Sequence, residues 1–159
     1  MWKRWTFLLI AAFVVAADQL SKAWIRANLL PGESYPEIIR FSITHIQNSG
    51  AVFGLFTNQT FLLTLIAIVG LIVILLFYRH LPQPNFLSTI ALGLLFGGAI
   101  GNLIDRIRFG YVTDFILVRL WGNFYWPAFN VADSGITVGV IFLIIFLILG
   151  LTKKDGRTS

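Results

Sequence analysis

Phe61-Leu-Leu-Thr-Leu-Ile-Ala-Ile-Val-Gly-Leu-Ile-Val-Ile-Leu-Leu-Phe-Tyr78 is a predominantly apolar run without one charged side chain. The hydrocarbon core of a bilayer takes about 20 helical residues to cross, with a range of about 17–25. A segment of this length and composition reads as a membrane span. Three more stretches share its character: Trp5 to Trp24, interrupted by Asp18 and Lys22, then Phe86 to Ile104, and Gly135 to Leu151. Backbone polar groups in lipid must be satisfied within the segment, so each of the four is expected to be a helix. Two further segments, 25–60 and 105–134, join them on one side, and residues 1–159 read as a single membrane-embedded domain.

Composition agrees with a lipid solvent. Hydrophobic residues make up 57% of the chain and charged residues 12%, where a soluble domain carries about 25% charged. So few charges would not cover a water-facing globule. Cysteine is absent, which excludes disulfides, thiolate zinc sites and a cysteine nucleophile. His45 and His80 stand far apart and outside any HExxH-like spacing. A metalloprotease would lack ligands, no cofactor is implied, and a Ser-His-Asp triad would have to use one of those two histidines.

The net charge of +5 comes without a basic run, so nucleic acid is not the implied partner. The cations instead mark topology. Lys3 and Arg4 precede the first span, Arg79 follows the second, and Lys153, Lys154 and Arg157 follow the fourth. The positive-inside rule puts both termini and the 79–85 link in the cytoplasm. Arg26, Arg40, Arg106, Arg108 and Arg119 weigh against this from the outer side, beside Glu33, Glu37, Asp105 and Asp114. Trp2, Trp5 and Tyr78 at one face, and Trp24, Trp121, Tyr125 and Trp126 at the other, fit interfacial belts. Lys3-Arg4, the apolar run and Ala16-Ala17 also resemble a cleavable signal peptide. Cleavage there would discard Asp18 and Lys22.

Both outer segments are longer than a turn needs, and long loops in compact proteins tend to be functional. Residues 38–46 alternate apolar and polar over most of their length, as a strand does. Residues 111–118 are rich in β-branched and aromatic types. The expected fold is all-α and membrane-integral, with a small β-sheet resting on the outer membrane surface.

Gly93, Gly97 and Gly101 recur at intervals of four, a spacing that lets helices approach closely in lipid. Asn102 and Arg106 follow one turn apart, with Asp105 beside them; alone, such a cluster at a membrane boundary is compatible with snorkelling. Asp18 and Lys22 sit at i,i+4 inside a span, where ionisable residues face the protein interior or a polar cavity. A structural ion pair and a site role explain them equally well. Asp133 reads as a helix N-cap shared with Ser134, and Asp114 as a solvated strand residue. Both also read as an acid–base pair. Two carboxylates brought close cannot both ionise easily, so one can take a proton from water while the other polarises a carbonyl. Without cysteine or metal ligands, carboxylates are the acid–base groups this chain has to offer.

Four blocks then occur in order: Asp18-Gln19-Leu20-Ser21-Lys22; Asn48-Ser49-Gly50-Ala51-Val52-Phe53-Gly54; Gly97 to Arg106 continuing through Val112-Thr113-Asp114-Phe115; and Phe129-Asn130-Val131-Ala132-Asp133-Ser134. On a four-span hydropathy profile they resemble the lipoprotein signal peptidases (signal peptidase II) over nearly the whole chain. The resemblance implies an aspartic endopeptidase of the bacterial inner membrane, a target of the cyclic peptide globomycin. Its substrate would be a diacylglyceryl-modified prolipoprotein, cut on the amino side of the lipidated cysteine. Asp114 and Asp133 would be the catalytic dyad. Asn48, with Gly50 in the same block, Asn102, Arg106 and Asn130 would bind substrate or orient the dyad. Asp18 and Lys22 would support the site and Asp105 would pair locally. The protein would work as a monomer, with membrane lipid as its surroundings. A small proton-coupled carrier is the rival reading; it predicts ionisable residues near the bilayer midplane. A non-catalytic membrane subunit predicts that neither Asp114 nor Asp133 matters.

Overall fold

Residues 86–109 form the helix on which the others are assembled. The computed structural model describes residues 2–36, 40–50, 56, 59–81, 84–122 and 124–155. It contains four long helices: α1 (Trp2–Asn28), α2 (Thr60–His80), α3 (Phe86–Phe109) and α4 (Val131–Asp155). All four include a stretch long and apolar enough to cross a membrane. Four strands, β1 (Ser34–Tyr35), β2 (Phe41–Asn48), β3 (Val112–Trp121) and β4 (Phe124–Phe129), form one antiparallel sheet in the order β1-β2-β3-β4. The sheet lies at the end of the bundle where α1 and α3 finish and α2 and α4 begin.

The helices run past the apolar segments that mark them in the sequence. α1 continues to Asn28 and α3 to Phe109, and in these extensions Arg26 and Asp105 pair with each other, and Asp105 with Lys22, inside the protein rather than being released to water. Gly110 closes α3 in the left-handed conformation (φ 78°), its N–H donating to the Arg106 carbonyl. At the other end Asn85 and Ser88 form a reciprocal capping box. Of the strands, β2 starts at Phe41, and Ile38 and Ile39 of the alternating stretch lie outside the described residues. β1 and β4 were not legible as strands: β1 is two residues long, and Pro127 interrupts β4.

α3 packs most extensively on α4 and α1 and less on α2. Phe7, Leu92 and Leu95 form a core near the end away from the sheet, where the Phe7 ring stacks on Tyr78 at 4.4 Å between centroids. That contact makes Tyr78 a packing residue of the bundle. α2 buries only Leu63, so its apolar surface faces lipid.

Close approach of α1 and α3 depends on the glycine stripe. A Cβ built on Gly97 would lie 2.7 Å from the Ala11 carbonyl oxygen, and one on Gly101 would lie 2.6 Å from Asp18 Oδ2. Backbone cannot yield as a side-chain tip can. Gly97→Ala should therefore lower stability by about 1–3 kcal/mol, the usual range for overpacking. Gly70→Ala, at a position with nothing within 4 Å, should be neutral or slightly stabilising. Tryptophan-monitored unfolding in mixed micelles would compare them, and equal midpoints would refute the steric argument.

Candidate active site

Lys22 is fully buried, and its ammonium sits among three acceptors: Asp18 Oδ2 at 2.9 Å, Asn102 Oδ1 at 2.9 Å and Asp105 Oδ2 at 3.4 Å. The i,i+4 pairing of Asp18 with Lys22 thus forms. Asp105 departs from the expectation of a local partner. It faces α1, meeting Lys22 and the Arg26 guanidinium (3.5 Å) and accepting from the Thr113 backbone N–H at 3.0 Å. Helix geometry explains this: Asp105 and Arg106 are adjacent in sequence and so point in different directions.

From this cluster the hydrogen bonds lead to the two other aspartates. Because Lys22 donates to its Oδ1, Asn102 turns its Nδ2 to Asp133 Oδ1, 2.7 Å away. Asn130 Nδ2 donates to Asp114 Oδ1 at 2.7 Å, while Asn130 Oδ1 accepts from the Asp133 N–H at 2.9 Å. Asn48 Nδ2 donates to Asp114 Oδ2 at 2.8 Å, its own oxygen accepting from the Gly50 N–H at 2.9 Å. Each asparagine has its carbonyl occupied and so presents a donor to a carboxylate. Residues 51–54 of that block lie outside the described residues.

The N-cap reading of Asp133 is corrected. α4 starts at Val131, so Asn130 caps it and Asp133 is the third helical residue, its Oδ2 accepting from the Asn130 N–H at 3.2 Å. Asp18 also holds this terminus, accepting from the Ala132 N–H at 2.9 Å. The solvated-strand reading of Asp114 is corrected too: the side chain is buried. Its place is set by the sheet, where Asp114 of β3 lies opposite Ile46 and Val112 opposite Asn48. Burial pushes the Asp114 carboxyl up to about 7 and the neighbouring Asp133 charge adds to this, against the hydrogen bonds from Asn48 and Asn130.

Asn48, Gly50, Asn102, Arg106, Asp114 and Asp133 line one half-open cavity of about 870 Å³. Ala67 of α2, Ala99 of α3, and Ile136 and Val138 of α4 continue it into the apolar part of the bundle. Arg106 is close enough for its charge to act on both Asp133 and Asp114. Asn130 is fully buried behind them, while Asp18, Lys22 and Asp105 sit deeper and do not line the cavity. Gln19, Arg26 and Thr113 belong to the same network, although their roles were not read from the sequence. Gln19 Nε2 lies 3.1–3.2 Å from Asp18, the Gly101 carbonyl and Asp105. Arg26 had a readable signal, being the third member of a stripe at intervals of four, Asp18, Lys22 and Arg26. Gln19, next to Asp18, had none.

Four membrane-length helices, with two carboxylates held by amide donors at one end of a half-open cavity, define a membrane protein equipped for acid–base hydrolysis. Residues 10–149 match the signal peptidase (SPase) II family. The chain is 48% identical over 152 residues to the lipoprotein signal peptidase of Moorella thermoacetica, covering 95% of this chain and 97% of that one. It is 40% identical over 153 residues to that of Staphylococcus aureus, covering 96% and 93%. Two bacterial membrane enzymes solved by the in meso method superpose on it. One has a TM-score of 0.85 at 39% identity, covering 94% of this chain and 91% of that one. The other has a TM-score of 0.79 at 40% identity, covering 89% and 92%. The chain belongs to the signal peptidase II family, a family of aspartic peptidases.

Lys22→Met would remove the ammonium that lies between Asp18 and Asp105, leaving Arg26 in ion-pair range of Asp105 but not of Asp18 among the described residues. Removing one partner of a buried ionic group costs about 3–5 kcal/mol. The variant should unfold at correspondingly lower SDS fraction in mixed micelles, and wild-type stability would refute the ionic account.

Proposed function

We propose that the protein removes signal peptides from diacylglyceryl-modified prolipoproteins, cutting on the amino side of the lipidated cysteine, with Asp114 and Asp133 as the hydrolytic pair. The observation that carries this is the convergence of the buried Asp114 carboxylate and the half-buried Asp133 carboxylate on one cavity that is polar at the sheet end and apolar between α2, α3 and α4. A substrate anchored by two acyl chains diffuses in the membrane plane, and a cavity of this kind can receive both its lipid and its peptide.

The reaction needs one proton on the pair. Asp114 is the member to carry it, since its carboxyl titrates near neutrality. The charge is better placed on Asp133, where the first turn of α4 and the Lys22–Asn102 chain face it. A water between the two gives a proton to Asp133 while its oxygen attacks the scissile carbonyl carbon. Asp114 donates a hydrogen bond, then its proton, to the carbonyl oxygen. Collapse of the resulting gem-diol returns a proton to Asp114. The C–N bond breaks as Asp133 protonates the leaving nitrogen. Arg106, lining the cavity, is suited to hold a substrate carbonyl, and Asn48, Asn102 and Asn130 orient the dyad.

The flanking charges support a bacterial inner-membrane orientation with both termini cytoplasmic and the sheet on the outer side. Lys3 donates to the Pro84 carbonyl, which brings the N-terminus and the α2–α3 link to the same end. The carrier reading is not favoured: the buried ionisable residues cluster at the sheet end of the helices, not at mid-depth.

Purified protein in detergent should cleave a diacylglyceryl-modified prolipoprotein, and Asp114→Asn and Asp133→Asn should each lose about 10²–10⁴-fold in kcat, the range of general acid–base contributions. Folded variants that cut like wild type would remove the dyad from the mechanism. Because the carboxyl of Asp114 is raised to about 7 and must be protonated, kcat/KM should fall as pH rises through that value. A profile flat from neutrality into the alkaline range would show that this proton is not required.

A further inference from the structure

We propose that Arg26 is a positioning residue, which fixes Asp114 by clamping Thr113 from the side of β3 opposite the cavity. The inference rests on the reading of Asp114 as catalytic and adds a residue outside the four sequence blocks.

Arg26 lies on the last turns of α1, with 18% of its side chain exposed. Nη1 donates to Thr113 Oγ1 at 2.9 Å and lies 3.5 Å from Asp105 Oδ1. The other oxygen of Asp105 accepts from the Thr113 backbone N–H at 3.0 Å. Thr113 is fully buried and is thus held twice, through its hydroxyl and through its main chain. Alternate residues of a strand point to opposite faces, so a grip on Thr113 leaves the Asp114 side chain free to face the cavity. The guanidinium also lies 4.5 Å from the centroid of the Phe109 ring, which holds its plane near the end of α3. Three elements meet in this clamp: α1 supplies Arg26, α3 supplies Asp105 and Phe109, and β3 supplies Thr113.

Charge adds a second effect. Asp18 and Asp105 are balanced by Lys22 and Arg26, so the buried cluster behind the site is neutral. Replacing Arg26 by a neutral residue leaves one excess anion there. The groups that would feel it are Lys22 on α1, Arg106 on α3, Asp114 on β3 and Asp133 on α4. An added anion favours the protonated form of Asp114.

The test uses the full-length protein in detergent with a diacylglyceryl-modified prolipoprotein, comparing R26Q, R26K, T113V and R26Q/T113V with D114N. R26Q and T113V should each lower kcat by about tenfold with KM nearly unchanged, a loss in keeping with misplaced reacting groups. The double variant should be no worse than the weaker single one, because both remove the same contact. The falling limb of the pH profile should move to higher pH in R26Q, and stay in place in T113V and R26K, which keep the charge. A dead D114N beside R26Q and T113V of wild-type kcat overturns the clamp and leaves the dyad standing. Additive losses in the double variant, or losses in KM alone, also overturn it. An active D114N overturns the catalytic reading on which the clamp depends.

Discussion

A fully buried ammonium has to be neutralised where it lies. Lys22 meets that demand with carboxylates from two helices and an amide from one of them. The consequence runs through the fold. Asp18 and Asp105 must face each other across the α1–α3 contact, and small residues must let the helices approach. Gly101 abuts the Asp18 carboxylate, so the steric requirement and the electrostatic one meet at a single position. Asp18 further accepts from α4 and Asp105 from β3, which ties the remaining parts of the site to the same charge cluster.

What the cluster supports is a graded environment. Deepest is the ionic network, closed to the cavity. Next come three amides, each with its oxygen engaged, and then the two carboxylates that line the open space. The ordering suits hydrolysis in a membrane. Water needs to reach only the outermost layer, while the ions behind it keep the geometry from relaxing towards solvent. The apolar walls from α2 and α4 then bring an apolar surface to the same place.

Much of this was legible in the residues because lipid leaves few options. Apolar runs had to be helices, and charges inside them had to be paired. What was not legible is direction. Asp105 sits next to Arg106 in the chain, yet the two point in directions about 100° apart around α3, and only the arrangement of α1 around α3 decides which partner each finds. The end of α3 was hidden for the same reason: Asp105 looks like an exit into water until Lys22 and Arg26 are seen beside it. Asp133 looked like a cap because its type caps well. Asn130 does so equally well, and the helix begins at the earlier of the two. The two outer strands were obscured by shortness in β1 and by Pro127 in β4.

The three asparagines around the dyad are, chemically, carboxylates with one oxygen replaced by nitrogen, and amide side chains are among the thermolabile groups of proteins. Each points that nitrogen at an aspartate. Exchanging the side-chain amide of Asn48, Asn102 or Asn130 for a carboxyl would leave the shape of the side chain nearly intact. It would nonetheless exchange a donor for an anion against a pair that already resists a second charge. A single atom at each of these three places thus separates a residue that steadies the pair from one that would repel it.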